Sequence, residues 1–235
     1  MKIRLMEVGP FCTNCYLAEN EETKHAVMID PGDDGDRIMD VVKKYGLTID
    51  AILLTHGHED HIGGLKEVRE GTGAKVYIGE GDADMLTHAK SMFFPGPVRN
   101  YGAADVIVKD NDEIEAAGLK FKVLTTPGHP RGGVCYVADE AVFCGDTIFA
   151  ESVGRTDLPG GNYGQLLKSI KEKILPMADD VTLLPGMVLL PMWDGKGNAI
   201  RFCNNWGSRQ GAVKECSACP KPKEVRFRLP VPVVP

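Results

Sequence analysis

Between Thr55 and His61 the chain reads Thr-His-Gly-His-Glu-Asp-His, and four of these side chains, His56, His58, Asp60 and His61, can ligate a metal. His56 and His58 lie two apart, so in extended backbone they project to the same side and can share one ion. Asp60 and His61 follow as the chain turns, which suits a second ion close by. Two metals roughly 3.5–4 Å apart can hold a bridging hydroxide as nucleophile and polarise a carbonyl or phosphoryl oxygen. An incidental polar loop would not concentrate three histidines and an aspartate in so few residues.

The elements that must position this loop are legible around it. The apolar run 51–54 reads as a buried strand that delivers the motif to a sheet edge. Upstream, 3–8, 12–19 and 24–29 read as strands of an antiparallel meander closed by the turn Asp30-Pro31-Gly32. Residues 36–45 place Ile38, Met39, Val41, Val42 and Tyr45 at helical spacing, with Gly46 as a stop. A helix is predicted to begin near Ile62, with Gly63 and Gly64 letting its backbone pass close to the metals. The next predicted elements are a strand over 75–78 and a helix over 82–89, in which His88 is a surface or core side chain. The loop 91–104 carries Met92, Phe93 and Phe94, which either pack it down or line a substrate entrance. Beyond it, 106–108, 119–124, 134–137 and 141–144 are β-like. Residues 164–174 read as a helix with Leu166, Leu167, Ile170 and Ile174 facing inward. Arg155 and Asp157 suit a structural ion pair beneath the site.

The motif His-x-His-x-Asp-His resembles that of the metallo-β-lactamase-fold hydrolases. Two further stretches are similar to the same family, Thr126-Pro127-Gly128-His129 and Phe143-Cys144-Gly145-Asp146-Thr147-Ile148-Phe149, and 154–161 is similar to its glyoxalase II-like branch. The resemblance covers residues 1–186. It implies an α+β fold, a four-layer αβ/βα sandwich. It also implies that His56, His58 and His129 bind a first metal, that Asp60 and His61 bind a second, and that Asp146 bridges the two. The implied reaction is hydrolysis by a metal-bound hydroxide, with two zinc ions, or iron or manganese in their place, and Asp60 as the catalytic residue that orients the nucleophile. The glyoxalase II-like branch implies a small-molecule thioester substrate such as an acylated glutathione. Aspartate at 146, where β-lactamases of this fold commonly carry cysteine, argues against an antibiotic-hydrolysing role. A mononuclear iron sulfur dioxygenase of the same fold and an inactive metal-binding product are the alternatives.

Composition bounds these readings. The 235 residues are 43% hydrophobic, enough for a sizeable core, and the net charge of −6 gives no general electrostatic grip on nucleic acid. No signal peptide or membrane span is evident, and seven cysteines without a disulfide pattern suit a cytoplasmic protein with reduced thiols. The pairs Cys12/Cys15 and Cys216/Cys219 are discounted as a zinc site. Cys135 and Cys144 lie in apolar strands as small hydrophobes. Oligomeric state is not legible.

The resemblance stops at Gly186. In the family, the strand resembling 181–186 leads into a His-Gly-Pro step whose histidine completes the second metal site, and this chain has Met187 there. Back-translated from Gly186 and read one base earlier, the codons can spell His-Gly-Pro-Ala-Thr-Asn-Val-Gly-Arg-Glu-Arg-Gln-Cys-Asn-Pro-Phe-Leu and then a stop. A one-base deletion would therefore replace a family-like ending with residues 187–235; a divergent genuine extension is the alternative. Thioether sulfur is a soft ligand that suits copper(I), so Met187 does not stand in for imidazole, and the second site is expected to be weakened. The closely spaced prolines at 230–235 forbid a central strand, so 187–235 is expected to be a poorly ordered tail beside the catalytic domain 1–186.

Overall fold

The computed structural model describes residues 1–89, 97–150, 152–177 and 181–187. The readings made above for Met92, Phe93, Phe94 and the tail beyond Met187 lie outside the described residues. Strands β1 (Lys2–Val8), β2 (Thr13–Glu19) and β3 (His25–Ile29) form the anticipated antiparallel meander. The chain then crosses through helix α1 (Gly35–Tyr45) to β4 (Thr48–Leu53), which is parallel to β3. Short helices α2 (Glu59–Ile62) and α3 (Leu65–Thr72) carry it to β5 (Lys75–Gly79), and a 3-10 turn, Glu80–Leu86, precedes β6 (Val106–Val108). These six strands make one sheet in chain order, with parallel neighbours wherever a helical crossover intervenes.

The second sheet has the order β13-β10-β9-β8-β7. It comprises β7 (Glu113–Ala116), β8 (Leu119–Thr125), β9 (Val134–Ala138), β10 (Ala141–Gly145) and β13 (Thr182–Pro185), the last parallel to β10. A two-stranded ribbon, β11 (Ile148–Phe149) with β12 (Ser152–Val153), follows β10. Helix α4 (Tyr163–Ser169) widens into a π-helical stretch, Ile170–Ile174.

The pleat explains the layering. Ile52 and Leu54 pack with Ile38, Val42, Leu65 and Val68 beneath α1 and α3. Ala51 and Leu53 point the other way and join Phe121, Val123, Tyr136 and Phe143 between the two sheets. Cys135, Val142 and Cys144, on the far face of the second sheet, pack against Leu166, Ile170 and Ile174. Helix, sheet, sheet and helix thus stack as the four layers of an αβ/βα sandwich.

Three local expectations are corrected. The helix predicted from Ile62 is broken at Gly63 and Gly64, whose N–H groups donate to Gly32 and Pro31 carbonyls, so those glycines approach the 30–32 turn and not the metal loop. In place of an α-helix over 82–89 there is the 3-10 turn Glu80–Leu86, and 87–89 lie outside it. Strand β7 was not anticipated, because its acidic sequence buries only Ile114.

One buried ion pair ties the meander together. Glu19, fully buried, accepts from Arg4 at 2.9 Å and from Lys24 at 2.6 Å. Burial pushes its carboxyl up, but the hydrogen bonds from Lys24 and Arg4 more than offset this and hold it below the usual range. A depressed carboxylate adds stability above its unfolded pKa of about 4.3 and loses it as pH falls through the folded value. Glu19→Gln is therefore expected to cost about 3 kcal/mol at neutral pH, since it strands the Arg4 charge. Urea melts should show the gap to the unsubstituted protein closing in acid.

Candidate metal centre

The motif loop leaves β4 extended and enters α2 with His58 as N-cap, so Asp60 and His61 sit in a helical turn while His56 and His58 precede it. His129 lies in the loop after β8, Asp146 directly after β10, and Gly186 after β13. Side chains from distant parts of the chain thus collect at the C-terminal ends of strands from both sheets.

The ligating nitrogens of His56, His58 and His129 lie within 4.8 Å of one another. His58 Nδ1 is 2.9 Å from His129 Nε2. Asp146 stands between the two groups: Oδ1 is 3.3 Å from His61 Nε2, and Oδ2 is 3.5 Å from His129 Nε2. Asp60 Oδ2 is 3.8 Å from His61 Nε2. His56 Nε2, His61 Nε2 and Asp146 Oδ1 are all buried without an aligned hydrogen-bond partner. Burying polar atoms unpaired is costly, and a cluster of such atoms of the N and O donor types fits divalent cations.

Supporting groups fix which atoms face inward. Asp30 Oδ2 meets His61 Nδ1 at 2.9 Å, while its oxygens also accept from the Thr55 N–H and hydroxyl. Asp30 also lies within 4.8 Å of His56 and His61, but these bonds make it an orienting group. With the Thr55 hydroxyl committed to Asp30, His56 must carry its proton on Nδ1, 3.1 Å from Thr55 Oγ1, and so present a bare Nε2. His129 Nδ1–H donates to the Arg155 carbonyl at 2.7 Å. Thr126 and Thr147 hydroxyls meet at 2.8 Å and tie the His129 loop to the Asp146 loop.

Electrostatics divides the histidines. Burial, followed by the neighbouring imidazoles, drives His56 well below its ordinary pKa and His58 down to about 3. Both shifts favour the neutral imidazole, whose lone pair is available to a cation. Burial opposes charge on His61 too, but the carboxylates of Asp146 and Asp60 overcome it and raise that pKa. Burial raises Asp60, whereas Asp146, despite burial, is held low by His61 and the other histidines.

Gly186 closes the centre. Its N–H donates to the Gly145 carbonyl at 2.8 Å, and its carbonyl accepts from the Asn14 N–H at 2.7 Å. Asn14 Nδ2 and Tyr16 Oη both donate to the Pro185 carbonyl. A Cβ at 186 would stand 2.5 Å from Asp146 Oδ1 and 2.6 Å from His61 Cε1. Gly186→Ala should therefore displace one of the two and lower bound metal per chain, with the circular-dichroism spectrum of the fold retained. Met187, the next residue, is bridged to Thr13.

Arg155 and Asp157 do pair, at 2.8 Å through two bonds, but both side chains are exposed and the pair is not beneath the site. His88 is exposed and bonds Thr87. Cys12 is exposed while Cys15, Cys135 and Cys144 are buried thiols. Asp30 and Asp82 escaped the sequence reading. A polar residue directly after an apolar strand run, as in 26–29 followed by Asp30, is the signal that would have marked the first. No helix among the described residues is long and apolar enough to cross a membrane.

The family model described as "Metallo-beta-lactamase superfamily" matches residues 8–193. Among curated proteins, the "Probable metallo-hydrolase YqgX" of Bacillus subtilis is 38% identical over 79% of this chain and 90% of its own length. The "Hydroxyacylglutathione hydrolase GloC" of Haemophilus influenzae is 30% identical over 79% of this chain and 90% of its own length. Among solved structures, the BLEG-1 B3 metallo-beta-lactamase superposes with a TM-score of 0.76 at 34% identity, covering 80% of this chain and 92% of that one.

Proposed function

Since the chain belongs to the metallo-beta-lactamase superfamily and is a metallo-hydrolase of that fold, we propose that it hydrolyses a small thioester, of the acylated glutathione class, at a two-metal centre. The observation that carries the proposal is the placing of Asp146, whose two oxygens face His61 on one side and His129 on the other while unpaired nitrogens converge around them. In this reading His56, His58 and His129 would hold one ion and Asp60 and His61 the other, with an oxygen of Asp146 available to each. Bound there, divalent cations supply Lewis acidity to the substrate carbonyl and lower the pKa of water to about 7.

The chain's own residues do the rest. Asp30, Thr55 and the Arg155 carbonyl hold the imidazoles to one tautomer and one direction. Asp60 orients the attacking water toward the thioester carbon, its side chain nearly enclosed between His61 and Asp146. Attack forms the C–O bond and the C–S bond breaks; of the two protons the water gives up, one ends on the departing thiolate and the other passes to solvent, leaving a carboxylate and a thiol.

The GloC likeness supports the thioester class, whereas the BLEG-1 likeness makes a β-lactam the comparison substrate to run beside it. The assay is hydrolysis of an acylglutathione before and after removal of metal with a chelator. Loss of turnover on chelation and its return with added zinc is the expected result. Turnover that survives metal removal, or is confined to the β-lactam, contradicts the proposal. A mononuclear iron dioxygenase is the second reading, favoured by the methionine at 187. Iron content with oxygen uptake on a persulfide would mark it.

A further inference from the structure

Asp82 has no part in the chemistry above, yet it is only 1% exposed and stands between the two loops that carry the first group of histidines. It lies in the 3-10 turn after β5. Its Oδ2 accepts from the Gly57 N–H at 3.0 Å, and its Oδ1 accepts from the Gly132 N–H at 2.7 Å. Gly57 sits between His56 and His58, and Gly132 lies three residues beyond His129. One carboxylate therefore joins the backbone of both histidine loops.

The 3-10 turn presses closely on both loops, with the Met85 side chain against Gly57 and Asp82 against Gly132. A Cβ on Gly132 would run into the Asp82 nitrogen and come 2.7 Å from its Cγ, and a Cβ on Gly81 would stand 2.7 Å from the Gly132 nitrogen. Met85 packs on the Gly57 loop alone, whereas the Asp82 carboxylate bonds to the Gly57 and the Gly132 loops together. Two buried N–H groups need acceptors, and an ionised carboxylate makes stronger hydrogen bonds to them than a neutral oxygen does. His58 and His129, whose nitrogens lie 2.9 Å apart, depend directly on that spacing.

We propose that Asp82 is a positioning residue for the His56/His58/His129 site, holding the two loops at the separation that lets three imidazoles share one ion. The inference rests on the metal reading given under Proposed function. An amide at this position has the size of the carboxylate but only one acceptor oxygen, and it would turn an NH2 toward one of the two N–H donors. One loop would be released.

The test is the zinc affinity of the full chain, measured by competition with a chromogenic chelator, together with the visible spectrum of the cobalt-loaded protein and the melting temperature of the metal-free protein. Asp82→Asn should weaken the tighter binding step about ten- to hundredfold, the range found when outer partners of metal ligands are lost, and should change the cobalt spectrum. Asp82→Glu, which keeps both oxygens, should recover part of the affinity. Asp105→Asn removes a carboxylate that also accepts a backbone N–H, from Val76 at 2.9 Å, but touches neither histidine loop. It should lower the melting temperature and leave affinity unchanged. Asp82 variants with the unsubstituted protein's tight-step affinity and cobalt spectrum would overturn the inference, whatever their melting temperature. If the unsubstituted chain itself holds no zinc tightly, the metal reading fails and this inference falls with it, a result distinct from the first.

Discussion

Asp146→Asn is expected to lower thioester turnover by about a thousandfold while leaving the fold intact. Asparagine keeps the shape of the side chain but has a single ligating oxygen and no charge. Asp146 faces His61 with one oxygen and His129 with the other, so the amide can serve one side only. It also removes the negative charge that, with Asp60, balances this cluster. Losing the shared ligand forfeits several kcal/mol of the charge stabilisation that a Lewis-acid pair supplies, and about 4 kcal/mol corresponds to three decades in rate. The checks are kcat/KM at saturating zinc and metal content per chain, with thermal melting as the control for folding. Turnover within tenfold of the unsubstituted protein would show that Asp146 does not bridge.

Met187→His is expected to act in the opposite direction. Gly145, Asn14 and Tyr16 already hold residues 185 and 186 by four hydrogen bonds, and position 187 follows directly on Gly186, which abuts Asp146 and His61. Thioether sulfur suits soft ions, whereas imidazole suits zinc. An added imidazole should tighten the second ion by at least the ten- to hundredfold that a mere outer-shell partner is worth. Turnover at limiting zinc should rise with it. Titration of each protein with zinc, following activity, gives the comparison; unchanged second-step affinity would mean that position 187 does not reach the centre.

The parts of this molecule that were legible in its sequence are those whose signal is local. The 51–54 run and the His-x-His-x-Asp-His spacing mark a strand end and its loop without any knowledge of the rest of the chain. Helix α1 was legible because Ile38, Val41 and Val42 recur at helical spacing and Gly46 ends the pattern. His129 and Asp146 were reached through resemblance alone, since nothing in their own neighbourhood says that β8 and β10 end beside β4. Asp30 looked like a turn residue because its partner, His61, is thirty-one positions away. Asp82 was hidden for the same reason, its two N–H partners belonging to loops on different sheets. Strand β7 lacked a pattern because an edge strand with one buried side chain needs none. The exposure of the Arg155–Asp157 pair was likewise a matter of tertiary placement, which two charges two positions apart cannot disclose.

The most direct test of the central claim is a stepwise zinc titration of the metal-free protein, with elemental analysis of the bound ion and acylglutathione turnover read at each point. Two ions of unequal affinity are predicted. The first is held through gel filtration by His56, His58, His129 and Asp146; the second is taken up more weakly by Asp60, His61 and Asp146, with turnover rising as it binds. A chain that retains no ion, or that reaches full turnover without one, would contradict the account.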